Sequence, residues 1–469
     1  MSAADLSDRI SRQVQRLFIL VAIVDPYSNG LLSAADWPMR GRDHTRNPVV
    51  AGEVGPIDWQ LGEPGRAAKN VRWSVPLGTV SCGTPVIANG LVWVGTNNGM
   101  PRDPDQAQDA SVLMCFRESD GEFLDQYATR RVPPDRRIDW PSSSHASSPL
   151  IEGERMWFCT TQGEVVCLDI GLLLDGTGKS RVVWKIDMRA QFGVVPRPVM
   201  IGSPISQCSV AGYKDLIYVN TTNARGYDRL PAPNAPSLLC LQKEDGRVRW
   251  QDNSPGEKLL DVQHGNPLVA EIQGQPQVIL GQGDGWLRGF HALTGKVLWK
   301  FDINSKSAKW RRQGYGKCDL VAMPVCFENR VYFTIGRHYE VGTGQGRICC
   351  LDPTRRGDIS SELDDGPENG KANPNSGVVW EYFGQGEDVV ERMNRTLSCV
   401  AIHDGLLIAP DLDGLVHCLD ARTGEWLWSD DTLGFITGDP LIVGSTVYVA
   451  NVDGCVFLWK LSRKLERLG

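Results

Sequence analysis

Two adjacent cysteines, Cys349 and Cys350, are the residues in this sequence with the clearest capacity for chemistry. Neighbouring thiols can take part in disulfide exchange or cover a cofactor, whereas a thiol on a strand packs as a small apolar group. No Cys-x-x-Cys, Cys-x-x-Cys-His or zinc-type spacing accompanies the pair. The interpretation therefore depends on whether the pair stands alone or belongs to a repeat.

A second set of chemically capable side chains stands just before short apolar segments. It combines imidazole, guanidinium, amide, carboxylate and indole groups, and arginine binds carboxylates through paired hydrogen bonds. The set predicts a site for a small anionic ligand or a protein partner; in the alternative, these groups only hydrogen-bond neighbouring loops. The predicted ligand-binding residues are His145, His264, Trp310, Arg311, Asp319, Asn394 and Arg395.

Other short motifs have simpler explanations. The DLDG stretch at 411–414 resembles part of a calcium loop, but the equivalent turns read NNG, TQG, GDG and VDG, so turn chemistry explains it. The glycine-rich stretches 281–285 and 342–346 lack the strand-to-helix context of a phosphate-binding loop. No Ser, His and Asp residues are spaced as a catalytic group. The sequence therefore predicts no catalytic residue and no metal site.

These residues are positioned by a pattern that recurs seven times. Each copy contains a proline-led apolar segment, a second alternating segment, a segment that ends near Leu-Asp and a segment that ends in tryptophan. Short alternating segments bounded by Gly, Asn and Asp are typical of strands, and the NG, QG or DG pairs between the second and third segments predict type I′ turns. The copies are anchored at Pro85, Pro149, Pro204, Pro267, Pro324, Val400 and Pro440.

The repeat answers the question raised by the cysteine pair. Cys167, Cys240, Cys350 and Cys418 occupy the same position in the third segment, and Cys115 lies close to it. A small apolar residue that recurs at one strand position indicates packing. Cys350 belongs to this series, so Cys349 is its strand neighbour and points to the opposite face of the sheet.

Four strands per copy predict an all-β fold, namely a β-propeller. We expect seven four-stranded blades, with eight as the alternative. The segment 70–77 looks like a lone fourth strand, and we expect it to complete the last blade and close the ring. Residues 36–469 then form a single domain.

The repeat resembles the PQQ-like, or quinoprotein-type, propeller family. The resemblance rests on the strings TGKVLW at 294–299 and TGEWLW at 423–428, and on 36–48, which is similar to the opening of bacterial family members. It implies that a large flat side chain fills the space between adjacent blades. The tryptophans at this repeat position are Trp184, Trp250, Trp299, Trp380 and Trp428.

The family implies several functions for this chain. We predict a non-catalytic binding or scaffold propeller whose ligand the sequence does not identify, and we predict no cofactor for it. One alternative is a PQQ-dependent alcohol or sugar dehydrogenase, which would need PQQ with calcium, several axial carboxylates and a disulfide of adjacent cysteines near the axis. The other resembles the outer-membrane assembly lipoproteins, which bind partner chains, although no lipobox cysteine follows the N-terminal apolar run.

Charge and the N-terminal residues narrow the setting. A net charge of −7 disfavours nucleic acid as a partner, and no apolar run reaches the length of a membrane-spanning helix. The apolar run 16–24 follows three arginines, which predicts that residues 1–35 are a secretory leader and that the protein is periplasmic or exported. The alternative is a cytoplasmic protein with a short N-terminal helix. Thirteen cysteines are many for an exported chain, so export predicts that the thiols are deeply buried.

Overall fold

The computed structural model describes most of the chain. The described residues are 36–62, 67–130, 144–195, 208–224, 230–260, 263–309, 317–318, 322–336, 345–366, 369–386, 388 and 391–469, together with the backbone of 19–23. Within them the helices are short, at Gly171–Leu174 and Met188–Phe192, with single 3-10 turns at Pro104–Gln106 and Gly256–Lys258. None of the helices in these ranges has the length and apolar character needed to cross a membrane. The fold is nearly all-β, as predicted.

Across the described residues, seven sheets follow one another along the chain, and consecutive strands of each sheet pair antiparallel. Sheets one to three consist of Val86–Ala88, Leu91–Asn97, Ala110–Arg117 and Phe123–Arg130; Leu150–Glu152, Arg155–Cys159, Glu164–Asp169 and Arg181–Asp187; and Ala211–Tyr213, Leu216–Asn220, Leu238–Gln242 and Val248–Asp252. Sheets four and five consist of Leu268–Ile272, Gln275–Gly281, Trp286–His291 and Val297–Asp302; and Val325–Phe327, Arg330–Ile335, Arg347–Leu351 and Val378–Tyr382. Sheets six and seven consist of Ala401–His403, Leu406–Pro410, Leu415–Asp420 and Trp426–Asp431; and Leu441–Val443, Thr446–Ala450 and Val456–Lys460.

Six further strands join or flank these sheets. Gly357–Asp358 adds a parallel fifth strand to sheet four, and Val49–Val50 pairs parallel with the first strand of sheet seven. Two-stranded sheets are formed by Ile19–Ile23 with Val71–Pro76 and by Glu362–Asp364 with Gly370–Ala372. The strand Ile19–Ile23 lies within the segment for which the sequence allowed either a leader or a helix.

The turn prediction was wrong in its location. Both central residues have positive φ in the turn between the first and second strands, as at Asn89 and Gly90 or Asp404 and Gly405. This is the type I′ signature. At the QG and DG pairs between the second and third strands only the glycine has positive φ, as at Gly163, whose N–H closes a turn on the carbonyl of Thr160. These pairs therefore mark longer loops that end in one left-handed glycine. At the NG pair neither Asn98 nor Gly99 has positive φ.

The register of the third copy also differs from the prediction. The first strand of sheet three begins at Ala211, so Val210 stands where the other copies have Pro or Val400. Pro204, the predicted anchor, lies outside the described residues. Proline is common before a strand but not required there. Taking Pro204 as the anchor therefore placed the first strand of this copy too early in the sequence.

The hydrophobic core is divided among the spaces between consecutive sheets. Separate clusters of buried side chains join sheets one and two, two and three, three and four, four and five, five and six, and six and seven. A seventh cluster packs sheet one against Trp73, Val75 and Leu77. Sheets two to six are therefore buried on both faces by their neighbours, as in a propeller, and sheet one is buried by sheet two and by residues 73–77.

The predicted closure was wrong about the residues involved. Val71–Pro76 pairs with Ile19–Ile23 and packs on sheet one, and it does not complete sheet seven. The outer edge of sheet seven is instead met by the C-terminal residues, where Lys460 N–H donates to Glu466 O and Leu468 N–H to Leu458 O. An N-terminal strand does join sheet seven, but it is Val49–Val50, which lies at the inner edge.

All five repeat tryptophans lie in clusters between consecutive sheets, and four of them make the same contact with the next sheet. Trp184, Trp250 and Trp380 donate their indole N–H to Lys243 O, Ala292 O and Ala421 O of the next sheet, at 2.9, 2.8 and 3.1 Å, and Trp428 donates to Ser462 O at 2.9 Å. For the first three, the ring covers a left-handed glycine in the turn between the third and fourth strands of that sheet. We call this arrangement the rim contact. Trp73 makes the same contact with Glu118 O and Gly121 of sheet one.

Trp299 lies between sheets four and five but makes a different contact. Its ring lies over Gly289 of its own sheet, where an added Cβ would stand 2.3 Å from the indole, and its N–H donates to Gln277 Oε1 at 2.7 Å. The next sheet explains the difference, because in sheet five residues 352–377 replace the tight turn. Sheet one shows the same effect: Asp125 occupies the tryptophan position and accepts Ser180 N–H and Oγ from the insertion of sheet two.

Candidate functional site

Residues 36–50, which we call the axial segment, lie among the first strands of all seven sheets. Trp37 exchanges two backbone hydrogen bonds with Ile87 of sheet one, and Pro38 O accepts from Ile151 N of sheet two. Thr45 O accepts from Cys326 N of sheet five, and Pro48 O from Ile442 N of sheet seven. One short segment reaches all these strands only if they surround it, so the first strands line the axis of the ring.

Arg46 supplies the contacts with sheets three and four. Its guanidinium donates to Val210 O at 3.0 Å, to Pro267 O at 3.1 Å and, within the segment, to Arg40 O at 2.6 Å. The side chain is fully buried, and burial, assisted by the charge of Arg40, lowers its pKa to about 10. Asn47 completes the set through two bonds with the backbone of Ile402 in sheet six.

A buried ion pair ties the axial segment to sheet seven. Arg40 Nε and Nη2 lie 3.1 and 2.8 Å from Asp439 Oδ2, while Asp439 Oδ1 accepts Cys399 N at 2.9 Å. Burial alone raises the pKa of Asp439, but the charge and hydrogen bonds of Arg40 and the N–H of Cys399 hold it below its usual value. The carboxylate therefore stays ionised and joins sheets six and seven to the segment.

Hydroxyl and amide groups join neighbouring sheets at the same level. Ser148 N donates to Ser209 Oγ at 3.1 Å, and Ser209 N donates to Asn266 Oδ1 at 2.6 Å, which links sheets two, three and four. Ser398 Oγ donates to Gly438 O at 2.7 Å between sheets six and seven. The inner edge of the ring is thus held by polar groups where the rim is held by aromatic rings.

His145, a predicted ligand residue, is buried just before the first strand of sheet two. Its N–H donates to Thr96 O at 3.1 Å, and its ring packs edge-on to Phe158. Position 95 must be glycine, because a Cβ there would stand 1.9 Å from His145 O. Burial lowers the pKa of the imidazole to about 4, against a smaller raising effect of the Ser147 backbone, so the ring is neutral at pH 7.

The other described members of the predicted set are also buried. His264 precedes sheet four, and Asn394 and Arg395 precede sheet six. Asn394 donates its N–H and Nδ2 to Asp411 Oδ2, both at 3.1 Å. Trp310, Arg311 and Asp319 lie outside the described residues. The structure therefore places the four at the inner ends of three sheets, and a ligand that touched them would lie inside the ring; ligand binding by the set stays a prediction.

Sequence reasoning missed a buried Asp–His–Ser arrangement in sheet six. His417 Nε2 lies 3.5 Å from Asp411 Oδ2, and His417 Nδ1 lies 2.9 Å from Ser429 Oγ. Asp411 Oδ1 also accepts the N–H groups of Asp413, Gly414 and Leu415. A carboxylate saturated by backbone donors holds a turn in place, which is the role that turn chemistry predicted for DLDG. Burial and the charge of Asp411 raise the pKa of Asp413 to about 6.

The cysteine pair is part of the packing. All thirteen cysteines are free, and eleven are buried. Cys349 belongs to the core between sheets four and five and Cys350 to the core between five and six, so the two side chains point to opposite faces, as predicted. Burial raises the pKa of Cys350 to about 12, which keeps its thiol protonated. The cysteines at the recurring position pair with the rim tryptophans, as Cys350 does with Trp380, and precede a β-bulge.

The described axial residues do not fit a calcium-bound quinone. Asp439 is committed to Arg40 and Cys399, and the described residues contain no group of three or more His, Cys, Asp or Glu arranged to hold a metal ion. The axis at the level of Arg46 contains the protein's own guanidinium and backbone. The residues that the sequence did not single out here are Arg40, Arg46 and Asp439. The two arginines lie in the stretch 36–48, which the sequence marked only as similar to the opening of family members, and no signal marked Asp439.

Comparisons with known proteins agree with this architecture. A family model described as outer membrane protein assembly factor BamB matches residues 176–359 and 370–465, more than half of the chain. No curated protein sequence matches the chain significantly.

Among solved structures, BamB from Moraxella catarrhalis is 13% identical with a TM-score of 0.51, covering 95% of this chain and 100% of that one. A europium-containing methanol dehydrogenase is 12% identical with a TM-score of 0.55, covering 91% and 89%. A quinohemoprotein alcohol dehydrogenase from Pseudomonas putida HK5 is 14% identical with a TM-score of 0.52, covering 91% and 75%. Identities this low show a shared fold alone. On the strength of the family model, this chain belongs to the PQQ-like repeat family of β-propellers, the family described by BamB.

Proposed function

We propose that this protein is a non-catalytic binding or scaffold propeller. The observation that carries the proposal is the axial segment, which hydrogen-bonds the first strands of all seven sheets and places Arg46 at the centre. An axis occupied by the chain's own backbone and guanidinium leaves the loops and the inner ends of the sheets as binding surfaces. In this proposal a ligand is held by positioned polar groups, and no bond is made or broken.

The predicted residues belong to this proposal as the wall of the binding region. His145, His264, Asn394 and Arg395 stand at the inner ends of sheets two, four and six. The neutral imidazole of His145 offers one donor and one acceptor, and the guanidinium of Arg395 is a donor for a carboxylate. A small anionic ligand matches this set better than a cation does, because arginine and histidine outnumber the carboxylate Asp319 in it.

The experiment that tests the proposal is addition of PQQ and calcium to the purified full chain. Equilibrium dialysis measures stoichiometric binding, and reduction of an artificial dye with alcohols and sugars measures turnover. We expect neither. Substrate-dependent turnover with bound quinone would replace the proposal with the dehydrogenase alternative. Asp439→Asn separates the two cases, because a catalytic site that uses this axial carboxylate loses turnover in the variant.

A protein partner is the second candidate, and the family description favours it. BamB is described as an outer membrane protein assembly factor, and the BamB structure covers 95% of this chain. The test uses an unfolded outer-membrane β-barrel chain as the probe and measures its fluorescence anisotropy as the propeller is added. Saturable binding supports a chain-binding scaffold; the absence of binding removes this candidate and leaves the small-ligand version in place.

Export to the periplasm is part of the same proposal. Eleven of the thirteen free thiols are buried, which fits an oxidising compartment because buried thiols are protected from pairing. Fractionation of cells that express the full chain, with N-terminal sequencing of the product, decides the point. A cytoplasmic product with an intact N-terminus would contradict the leader.

A further inference from the structure

The inner ends of the sheets differ in exposure. Before the first strands of sheets two and four, residues 144–148 and 263–266 are buried, apart from the half-buried Ala146. At the equivalent positions of sheets one and seven, Cys82, Thr84 and Thr437 are exposed. The exposed inner ends of sheets one and seven indicate an opening beside the axial segment, which we call the axial opening and define by Cys82, Thr84, Thr437 and Arg40.

Arg40 spans this opening. The backbone of the axial segment is bound to sheets one and two at Trp37 and Pro38, while the Arg40 side chain is bound to sheet seven through Asp439. Both hydrogen bonds from this guanidinium to the carboxylate, from Nε and from Nη2, end on the single oxygen Oδ2. Among the described residues Nη1 has no hydrogen-bond partner, and the side chain keeps 21% of its surface exposed. Asp439 thus fixes the guanidinium and leaves one donor edge toward solvent.

Two guanidiniums lie close together at the opening. Arg46 donates to the backbone carbonyl of Arg40, and its other described partners are also backbone carbonyls. The charge of Arg40 is, after burial, the next cause that lowers the pKa of Arg46, so the two guanidiniums repel one another. Asp439 pairs with Arg40, and the charge of Asp43 offsets part of the effect on Arg46. A bound anion would reduce the remaining repulsion.

We propose that the axial opening binds a small carboxylate or phosphate anion. Nη1 of Arg40 is the anchoring donor, and the hydroxyls of Thr84 and Thr437 complete the site. A guanidinium suits either oxyanion because its N–H groups match their oxygen spacing. This inference rests on the proposed binding function and names the class of ligand. Its binding residues differ from those that the sequence predicted.

Cys82 provides a direct readout. Cys82 and Cys455 are the two exposed thiols, so Cys455→Ser leaves Cys82 as the exposed reporter within the opening. The residue is exposed, yet burial raises the pKa of its thiol. A thiol inside a cleft that is open to solvent would show both properties. Labelling is therefore done at mildly alkaline pH with the uncharged reagent iodoacetamide.

The experiment measures the rate of Cys82 modification in the full chain with inorganic phosphate or malonate as the probe and chloride at matched ionic strength as the control. Binding slows the rate saturably, by about tenfold when the anion stands at ten times its dissociation constant. Protection by malonate alone assigns a carboxylate ligand, and protection by phosphate alone assigns a phosphate. Rates unchanged by both anions overturn the inference.

Two variants keep the test independent of folding. Arg40→Gln abolishes protection, and its circular dichroism and melting temperature show whether it folds. Thr437→Val leaves the Arg40–Asp439 pair intact and weakens protection severalfold with the melting temperature unchanged. Protection that survives both variants contradicts this site. Quinone-dependent turnover would defeat the proposed function whatever the labelling shows, whereas unprotected Cys82 defeats only the anion site.

Discussion

At the outer rim, consecutive sheets meet through a tryptophan ring that covers a glycine turn, whereas at their inner edge they meet through hydroxyls, amides and guanidinium groups. The rim contact uses both ends of one motif, because the glycine of TGKVLW receives Trp250 from the preceding sheet. The inner contacts repeat less and differ from sheet to sheet. The contacts that recur are formed by the residues of the repeat, whereas the contacts inside the ring are formed by residues outside the repeated pattern.

The largest effect should come from the inner edge, with Arg46→Met. Methionine keeps the apolar stem but leaves the carbonyls of Arg40, Val210 and Pro267 without their donor. Unsatisfied buried acceptors cost about 1–3 kcal/mol each, so we expect a loss of roughly 3–6 kcal/mol in the free energy of unfolding. Urea unfolding followed by tryptophan fluorescence measures it.

Arg42→Met is the matched control. Arg42 lies in the same segment, donates one hydrogen bond from Nη1 to Val49 O at 2.7 Å, and is only half-buried. We expect a loss of about 1 kcal/mol. Equal losses in the two variants would mean that the central position of Arg46 has no special role.

The rim is tested by two glycines in sheet six that share one backbone conformation. Gly424 and Gly405 both have a φ of 74°, but a Cβ at 424 would stand 2.6 Å from the Trp380 ring, whereas a Cβ at 405 meets nothing within 4 Å. Gly405→Ala should cost about 1–2 kcal/mol for the left-handed conformation alone. Gly424→Ala should cost a further 1–3 kcal/mol or so, because it displaces the tryptophan.

The difference between the two urea midpoints isolates the rim contact from the backbone term. Near-ultraviolet circular dichroism adds a second readout, since only Gly424→Ala should change the environment of an indole. If the two variants are equally stable, the Trp380 ring does not need to lie against the turn at Gly424. The rim contact then contributes less to the free energy of unfolding than its burial indicates.

These two regions also differ in how well the sequence predicts them. The T-G-x-x-x-W spacing predicted the docking of Trp184, Trp250, Trp380 and Trp428, because a repeated apolar contact leaves a repeated signal. Trp299 also packs between sheets, but its ring lies over Gly289, which stands in its own sheet in place of the recurring cysteine. At the inner edge Arg46 binds backbone carbonyls, which every residue has, so no side-chain pattern marks its partners. The cysteine pair was correctly assigned to packing, while the closing strand was not, because strand pairing depends on geometry that composition does not carry.

The pH dependence of stability should distinguish the inner edge, which contains the buried imidazole of His145, from the aromatic rim contacts, which contain no such imidazole. The pKa of His145 falls from 6.5 to about 4 on folding, so between these values the unfolded chain binds more protons. Stability from this group is complete above pH 6.5 and is lost as the pH falls toward 4. The loss amounts to about 3 kcal/mol.

Urea unfolding at several pH values, compared between the native chain and His145→Asn, tests this expectation. The variant should lose stability less steeply over the same window. Asp413 acts in the opposite sense: its folded pKa is raised to about 6, so its contribution favours the folded state as the pH falls from 6 toward 3.8. Identical pH profiles would show that His145 is not buried as a neutral ring.

The smallest effect is expected where the rim rule fails. Asp125 stands in sheet one where other sheets have tryptophan, and it accepts Ser180 N–H at 2.9 Å and Ser180 Oγ at 2.6 Å. Asp125→Ala should cost about 1–3 kcal/mol, because a buried polar contact is lost without an aromatic cavity. Ser180→Ala removes only the hydroxyl bond and should cost about 1 kcal/mol. Trp380→Ala, in contrast, should cost roughly 3–5 kcal/mol. If Asp125→Ala destabilised the protein equally, the insertion in sheet two would be docked as tightly as a rim contact. The division of the interfaces into aromatic and polar kinds would then not hold.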